Sequence, residues 1–391
     1  MLFYLPLESY KERYTLQWAA PKTGWLERNW IKKGIEYYRV DPVLRNPHLQ
    51  EQTPIKTGVV LDPLKRSVFC FEQVTQLLEL GNKGMVTNDD VIYFDDFWHP
   101  GIEAIAYAFS IWKIKPKIFA FLHAQSVDEF DFTYPMRSWM RFFEKGIAEI
   151  CDGIFVCGPT LRDLVVFGGI APKEKVHITG HPFSSEEVLE RMLKISTQRR
   201  NNIVYSSRWD QEKNPDFFLR VALRTLRERT QSVTFTICTG SEHLRSNNAK
   251  LIDLLYDAKQ QFPENILILE NLTKERYYEE LCSSKIQMNT ADQDFVAITL
   301  LEASVAGCYP VYPYFRSFPE TFLYKPGFMY ERLDEDSAIS LLMDIISRED
   351  LWTDEEIQKR NWIHSRFDTS WIRMLNHMGL TQEPVSDPYK E

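Results

Sequence analysis

Two pairs of side chains in the later half of this 391-residue chain have the types and spacing to hold a charged, hydroxyl-rich ligand. Arg208 and Lys213 stand five positions apart in "SSRWDQEKNPDFF", after the β-rich run "NNIVY" and before an amphipathic pattern. A guanidinium and an ammonium between a strand and a helix N-terminus can both reach one diphosphate, and the helix end adds partial positive charge. The same segment also allows a surface ion pair of Arg208 with Asp210 or Glu212. Asp294 and Glu302 flank an apolar run in "TADQDFVAITLLEASVAGCYPVYP", which closes on a small-residue turn and a short strand. Carboxylates accept paired hydrogen bonds from vicinal hydroxyls, so ribose and a hexose are suitable partners. A helix-capping Asp with an exposed Glu is the plainer alternative.

These residues need a frame, and the pattern supplies one. Short β-rich runs, each followed by a helical pattern, recur at "LFYL", "VIYF", "KIFAFL", "GIFVC" and "VHIT", then at "NIVYSS", "VTFTIC", "NILILE", "KIQMN" and "YPVY". Strands alternating with helices predict parallel sheets covered on both faces, and about a dozen strands divide into two such sheets. The fold class is therefore α/β, with two doubly wound domains. The joint is placed near Gly180 to Arg200, where Ser184 offers a helix N-cap with Glu187 three residues on. This gives a domain over 1–185, a second over 186–375 and a frayed tail over 376–391. In such sheets ligands lie beyond the carboxyl ends of the strands, which is where all four charged residues fall.

Composition narrows the classes. With 44% hydrophobic residues the chain can bury a large core, and a net charge of -9 argues against a uniformly basic nucleic-acid coat. Six dispersed cysteines without a C-x-x-C pair suggest buried thiols in a reducing compartment, not a zinc site. The N-terminus lacks a basic stretch before its apolar residues, and no apolar run approaches the roughly 20 residues of a membrane helix. No signal peptide or membrane span is expected, and the location is read as cytoplasmic. P-loop, dinucleotide-binding and zinc-protease motifs are missing. "ADQD" could be an Asp-x-Asp metal site, but Arg208 and Lys213 already supply positive charge, so no metal is expected.

The segments "RWDQEKNPDFF", "LTKERYYEELCSSKIQMNTADQDFVAITLLEASVAGCYPVYP" and "RSFPE" resemble, in order and spacing, the C-terminal half of retaining glycosyltransferases of the GT-B fold. The resemblance implies two Rossmann-like domains facing a cleft and a nucleotide-sugar donor, of the UDP class, with no cofactor. It assigns the diphosphate to Arg208 and Lys213, the donor sugar to Asp294 and the ribose to Glu302. The remaining donor contacts fall on Gly240, Leu272 and Thr290. "KIFAFLHAQ" resembles the family strand that ends in a sugar-facing histidine, which implies a catalytic role for His123 beside Arg208, Lys213 and Asp294. Two departures stand out: Asp294 replaces the usual Glu, and "LFYLPLESYKERYTLQW" lacks the glycine-rich loop of the family.

On the acceptor side, "PLESYKERYTLQW", "DDFWHPGIEA" and "HLRSNN" are also similar to glycosyltransferases encoded by tailed bacteriophages, which implies a hydroxymethylated pyrimidine in double-stranded DNA as acceptor. Asp95, Asp96, Arg13 and Trp98 are the acceptor-side residues on that reading. Residues 11–66 hold 11 Lys+Arg against 6 Asp+Glu, with Trp18, Trp25 and Trp30 among Lys11, Lys22, Arg28, Lys32 and Lys33. Interleaved cations and aromatics could hold phosphates and an extruded base, although tryptophans at that spacing also suit a core. Lys113, Lys115 and Lys117 add to the patch. A saccharide or lipid-linked acceptor and a catalytically inactive nucleotide-sugar-binding module are the competing readings.

Overall fold

The computed structural model describes residues 1–8, 14–42, 63–123, 125–131, 133–193, 195, 198–228, 232–240, 243–322 and 326–385, with backbone alone for 14–20 and 326. Arg13 and Lys11 lie outside the described residues, as does the side chain of Trp18. The chain divides into two compact units: Met1–Phe183 with Asp368–Glu391, and Ser184–Phe367.

The first unit is built on a six-stranded sheet of β1 (Leu2–Leu5), β2 (Tyr37–Arg39), β3 (Val91–Phe94), β4 (Lys117–Phe121), β5 (Gly153–Val156) and β6 (Val176–Ile178). Its order is β2-β1-β3-β4-β5-β6 and every pairing is parallel. The strands read as unbroken apolar runs because both faces are covered, and β1, β3 and β5 are buried at every position. The second unit repeats the plan with β7 (Arg200–Tyr205), β8 (Thr234–Cys238), β9 (Ile266–Leu269), β10 (Ser284–Met288), β11 (Tyr309–Tyr314) and β12 (Met329–Glu331), ordered β12-β11-β10-β7-β8-β9. All ten runs read from the sequence form strands. The two that the pattern missed, β2 and β12, are three-residue edge strands whose partial exposure leaves no apolar signature.

The first unit breaks off at Phe183, and Ser184 caps the helix Ser185–Met192 by accepting from the Glu187 amide. The far end differs. The helix Ser370–Met378 belongs to the first unit, so residues 368–375 do not group with the second, and 376–378 are helix instead of tail. Trp371, Met374, Leu375 and Met378 are buried, Arg373 donates from Nε to the Thr179 carbonyl at 2.8 Å, and His377 stacks on His177 with centroids 4.1 Å apart.

The interior also claims residues expected at a nucleic-acid surface. Trp30 is 1% exposed and meets Tyr4 edge-on at 5.0 Å, and Trp25 is buried. Lys22 forms a buried ion pair with Asp95 at 2.7 Å, and Lys33 pairs with Glu383 at 2.5 Å. Burying the indoles removes more apolar area from water than any other use of residues that large. The proposed patch on residues 11–66 therefore loses its described aromatics and its Lys22 charge to packing.

Candidate active site

In the second unit β7 lies between β10 and β8, so the strand order reverses beside β7. Ligands of doubly wound sheets sit at such switch points, beyond the strand carboxyl ends. The loops that follow β7 and β10 are neighbours there although 76 to 81 residues separate their contacting positions. The first passes through a short 3-10 turn, Gln211–Lys213, to Asn214 at φ 47, and then starts the helix Pro215–Glu228. Asn214 donates to the Thr290 carbonyl at 3.1 Å, and the Thr290 hydroxyl donates to the Lys213 carbonyl at 2.7 Å. Thr290 thus fastens one loop to the other.

This stitching sets Lys213. Its ammonium donates to the Gln293 carbonyl at 2.8 Å and to Asp294 Oδ1 at 3.0 Å, with the side chain 11% exposed. Asp294 also receives a weak bond from Asn289 Nδ2 at 3.4 Å. Arg208 lies in the same β7 loop and is 49% exposed, paired with Asp210 at 2.8 Å and with Glu212. Its surface ion pairs are formed, through both terminal nitrogens, with the side chain half-exposed.

Glu302 occupies a separate cluster. It projects from the helix Ile298–Val305 and is 4% exposed. Its Oε1 takes the Lys274 ammonium at 2.6 Å and the Tyr278 hydroxyl at 3.1 Å, while Oε2 is buried with no hydrogen-bond partner among the described residues. Lys274 lies over the rings of Tyr277 and Tyr278, at 5.1 and 5.3 Å. Burial, then the Glu302 charge, pushes the Tyr278 phenol up, so it stays protonated and donates. The Tyr277 hydroxyl reaches Ser206 at the end of β7 at 3.1 Å, and Gln287 of β10 reaches the same hydroxyl at 3.0 Å. The sequence reading missed Lys274, Tyr277, Tyr278 and Ser206. A signal was present: Thr273 caps "KERYYEEL", which puts Lys274 and both tyrosines in the first turns at a strand carboxyl end.

The remaining donor-side expectations are placed plainly. Gly240 is exposed just after β8, and the Leu272 amide donates to the Thr239 carbonyl at 3.1 Å, joining the loops after β8 and β9. Both carboxylates of "ADQD" already hold cations, Asp292 with Arg332 at 2.6 Å and Asp294 with Lys213. Among the described residues no group of three or more His, Cys, Asp or Glu is arranged to bind a metal.

In the first unit the strand order reverses beside β1, and the corresponding edge lies at the carboxyl ends of β1 and β3. Asp95 there is fully buried. Its carboxylate accepts from Lys22 at 2.7 Å, Tyr4 at 3.0 Å and Tyr93 at 2.9 Å. Asp95 is thus satisfied inside by an ammonium and two phenols, as a buried strand-end carboxylate must be. Asp96 turns the other way, 14% exposed, paired with Arg66 and accepting the Trp98 amide at 2.9 Å. Arg66 also binds Glu8, in the segment after β1, at 2.7 Å. Trp98 donates from Nε1 to Glu144 at 3.0 Å.

His123 follows β4, and its Nε2 lies 2.8 Å from the Asp95 carbonyl. A carbonyl oxygen can only accept, so the proton sits on Nε2 and Nδ1 is the acceptor nitrogen of the neutral ring. Burial, then the Lys22 charge, lowers its pKa, so the ring is neutral at neutral pH. His181 meets it edge-on at 5.9 Å.

Known proteins extend this description. No protein-family model matches the chain. A tRNA-queuosine alpha-mannosyltransferase of Drosophila melanogaster is 26% identical over 121 residues, 31% of this chain and 30% of that protein's length. Among solved structures, a glycosyltransferase from Rickettsia africae superposes with a TM-score of 0.64 at 12% identity, over 97% of this chain and 98% of that one. A UDP-forming alpha,alpha-trehalose-phosphate synthase from Burkholderia xenovorans gives 0.59 at 13% identity, with 81% of each chain covered. The chain has the α/β fold of the GT-B glycosyltransferases.

Proposed function

We propose that this protein is a glycosyltransferase that moves a sugar from a UDP-sugar to a hydroxyl on a modified base of a nucleic acid. The observation that carries the donor half is Glu302: a buried carboxylate oxygen, Oε2, without a partner among the described residues, at the switch-point edge of the second unit. A buried unpaired acceptor costs about 1–3 kcal/mol, and a ribose hydroxyl would satisfy it. Lys213 and the half-exposed Arg208, at the same edge, are suited to a diphosphate, and Asp294 to a sugar hydroxyl. The family's GT-B fold and the UDP-forming neighbour agree with this choice of donor.

The chemistry follows from the charges. As the bond from the anomeric carbon to the diphosphate breaks, its electron pair leaves with the phosphate oxygen, and Arg208 and Lys213 stabilise the growing charge. The acceptor oxygen bonds to the anomeric carbon, and its proton passes to the departing phosphate oxygen. Attack from the face the phosphate leaves would retain the configuration, as the resemblance to retaining enzymes suggests. Neutral His123, with Nδ1 as acceptor, is suited to orient a hydroxyl.

For the acceptor, two likenesses point the same way. The phage enzymes that the sequence resembles decorate hydroxymethylated pyrimidines in DNA, and the Drosophila relative's name puts mannose on queuosine in tRNA. The shared chemistry is a hydroxyl carried on a base. A panel of labelled nucleotide sugars, each incubated with hydroxymethylated DNA, bulk tRNA and an oligosaccharide, tests it. Label is expected in a nucleic acid. Label in saccharide alone overturns the acceptor, and UDP binding without transfer or donor hydrolysis overturns the enzyme.

A further inference from the structure

We infer that the exposed side of the helix Arg137–Ile150 is a docking surface for single-stranded or looped nucleic acid, with phosphates on Arg137, Arg141 and Lys145 and bases on Trp139 and Phe142. The inference rests on the reading that the acceptor is a nucleic-acid base, and it concerns a surface other than the N-terminal patch, whose Trp25, Trp30 and Lys22 are packed inside.

Arg137, Arg141 and Lys145 recur every fourth residue, so they form one row about 6 Å apart along the axis. All three are exposed. None has a carboxylate partner among the described residues, whereas Arg220, Arg224 and Arg276 in the second unit are each held by one. The acid within the row's span, Glu144, is fully buried and accepts from the Ser126 amide, the Ser126 hydroxyl and Trp98 Nε1. Glu144 therefore does not neutralise the row, and the next acid along it, the exposed Glu149, stands one turn beyond Lys145.

On the other flank of the exposed side, Trp139 is 55% and Phe142 60% exposed, although Met140, Ile147 and Ala148 of the same helix are buried. The Arg141 guanidinium lies 4.7 Å over the Phe142 ring. A stacked guanidinium keeps its N–H edge for a phosphate while the aromatic faces accept bases, the arrangement that single-strand binders use. A membrane surface also selects aromatics with cations. Here the cations run along one flank and only two large apolar side chains face outward, which favours intermittent stacking over insertion into lipid.

Position supports the assignment. A helix between parallel strands begins at their carboxyl edge, and the segment after His123 leads into Arg137. Trp98, two residues beyond Asp96, bonds this helix at Glu144. The row thus starts on the edge that carries Asp96 and His123.

The test measures anisotropy of a short labelled single-stranded RNA, and of its DNA counterpart, against the full chain between about 50 and 200 mM salt. Arg137→Ala/Arg141→Ala/Lys145→Ala should weaken binding and flatten the logarithmic salt slope by about 2, at about 0.7 per phosphate contact. Trp139→Ala/Phe142→Ala, which removes two stacking faces, should weaken binding at least about 30-fold with the slope unchanged. Both variants should bind UDP like the parent, so a parent that fails to bind UDP indicts the donor reading, not this one. Parent-like oligonucleotide binding by both variants would overturn the inference. So would a parent that binds anionic phosphatidylglycerol vesicles and neither oligonucleotide.

Discussion

Replacing Glu302 isolates the donor site. In the structure Oε1 already accepts from Lys274 at 2.6 Å and Tyr278 at 3.1 Å, so the bond gained from a nucleotide is the one at the unpartnered Oε2. A hydrogen bond to a charged group is worth about 1.5–3 kcal/mol, which is about a 10- to 150-fold loss in UDP affinity for Glu302→Ala. Glu302→Gln keeps a neutral acceptor and should fall between parent and alanine. The loss should also be specific to the ribose: the parent should prefer UDP over its 2′-deoxy or 3′-deoxy form, and the alanine variant should not. Calorimetry gives the affinities, and a thermal melt reports what the fold loses when Lys274 is left without its carboxylate. A residue that only anchors Lys274 and Tyr278 would lower the melting temperature and leave nucleotide affinity within about twofold of the parent. That result, with the variant folded, refutes the reasoning.

Single alanine variants at Arg208 and at Lys213 should each lower turnover about 10²- to 10³-fold in a transfer assay with saturating donor, and a change below tenfold argues against charge stabilisation of the leaving group. Asp95→Ala leaves the Lys22 ammonium buried without its carboxylate, so urea unfolding should show a loss of about 3–5 kcal/mol, while Lys22→Met/Asp95→Leu should cost less; equal losses would contradict a buried pair. His364, whose Nε2 lies 2.7 Å from the Ser304 hydroxyl, has its pKa lowered to about 4 by burial and then by the Arg360 charge. The unfolded chain then binds the extra proton first, so this group's stability is present above pH 6.5 and is lost as pH falls toward 4. In denaturant titrations across that range, His364→Gln should flatten the pH dependence; an unchanged slope would refute the shift.

What one dimension made legible was local. The ten apolar runs became strands because burial on both faces writes itself into consecutive residues, and Ser184 capped its helix because a hydroxyl beside a free amide needs no distant partner. Edge strands β2 and β12 carried no such mark. In the structure Arg208 and Lys213 lie in the loop after β7 and Asp294 in the loop after β10, as the order of motifs and strands implied. That order could not say which loops would meet, and Lys213 finds Asp294 across 81 residues only because β7 and β10 are paired in the sheet.

The sequence by itself determined the alternation of elements, the division into two sheets and the kinds of charge available at their ends, since these follow from local periodicity and residue chemistry. Tertiary structure alone decided that Lys22, Asp95, Trp25 and Trp30 belong to an interior and that Ser370–Met378 returns to the first unit. It also decided that Lys274 and Tyr278 share Oε1 of Glu302 and leave Oε2 without a bond. The physical reason is common to all of them: burial and pairing depend on which distant segments become neighbours, and sheet order is not encoded in the period of any single strand or helix.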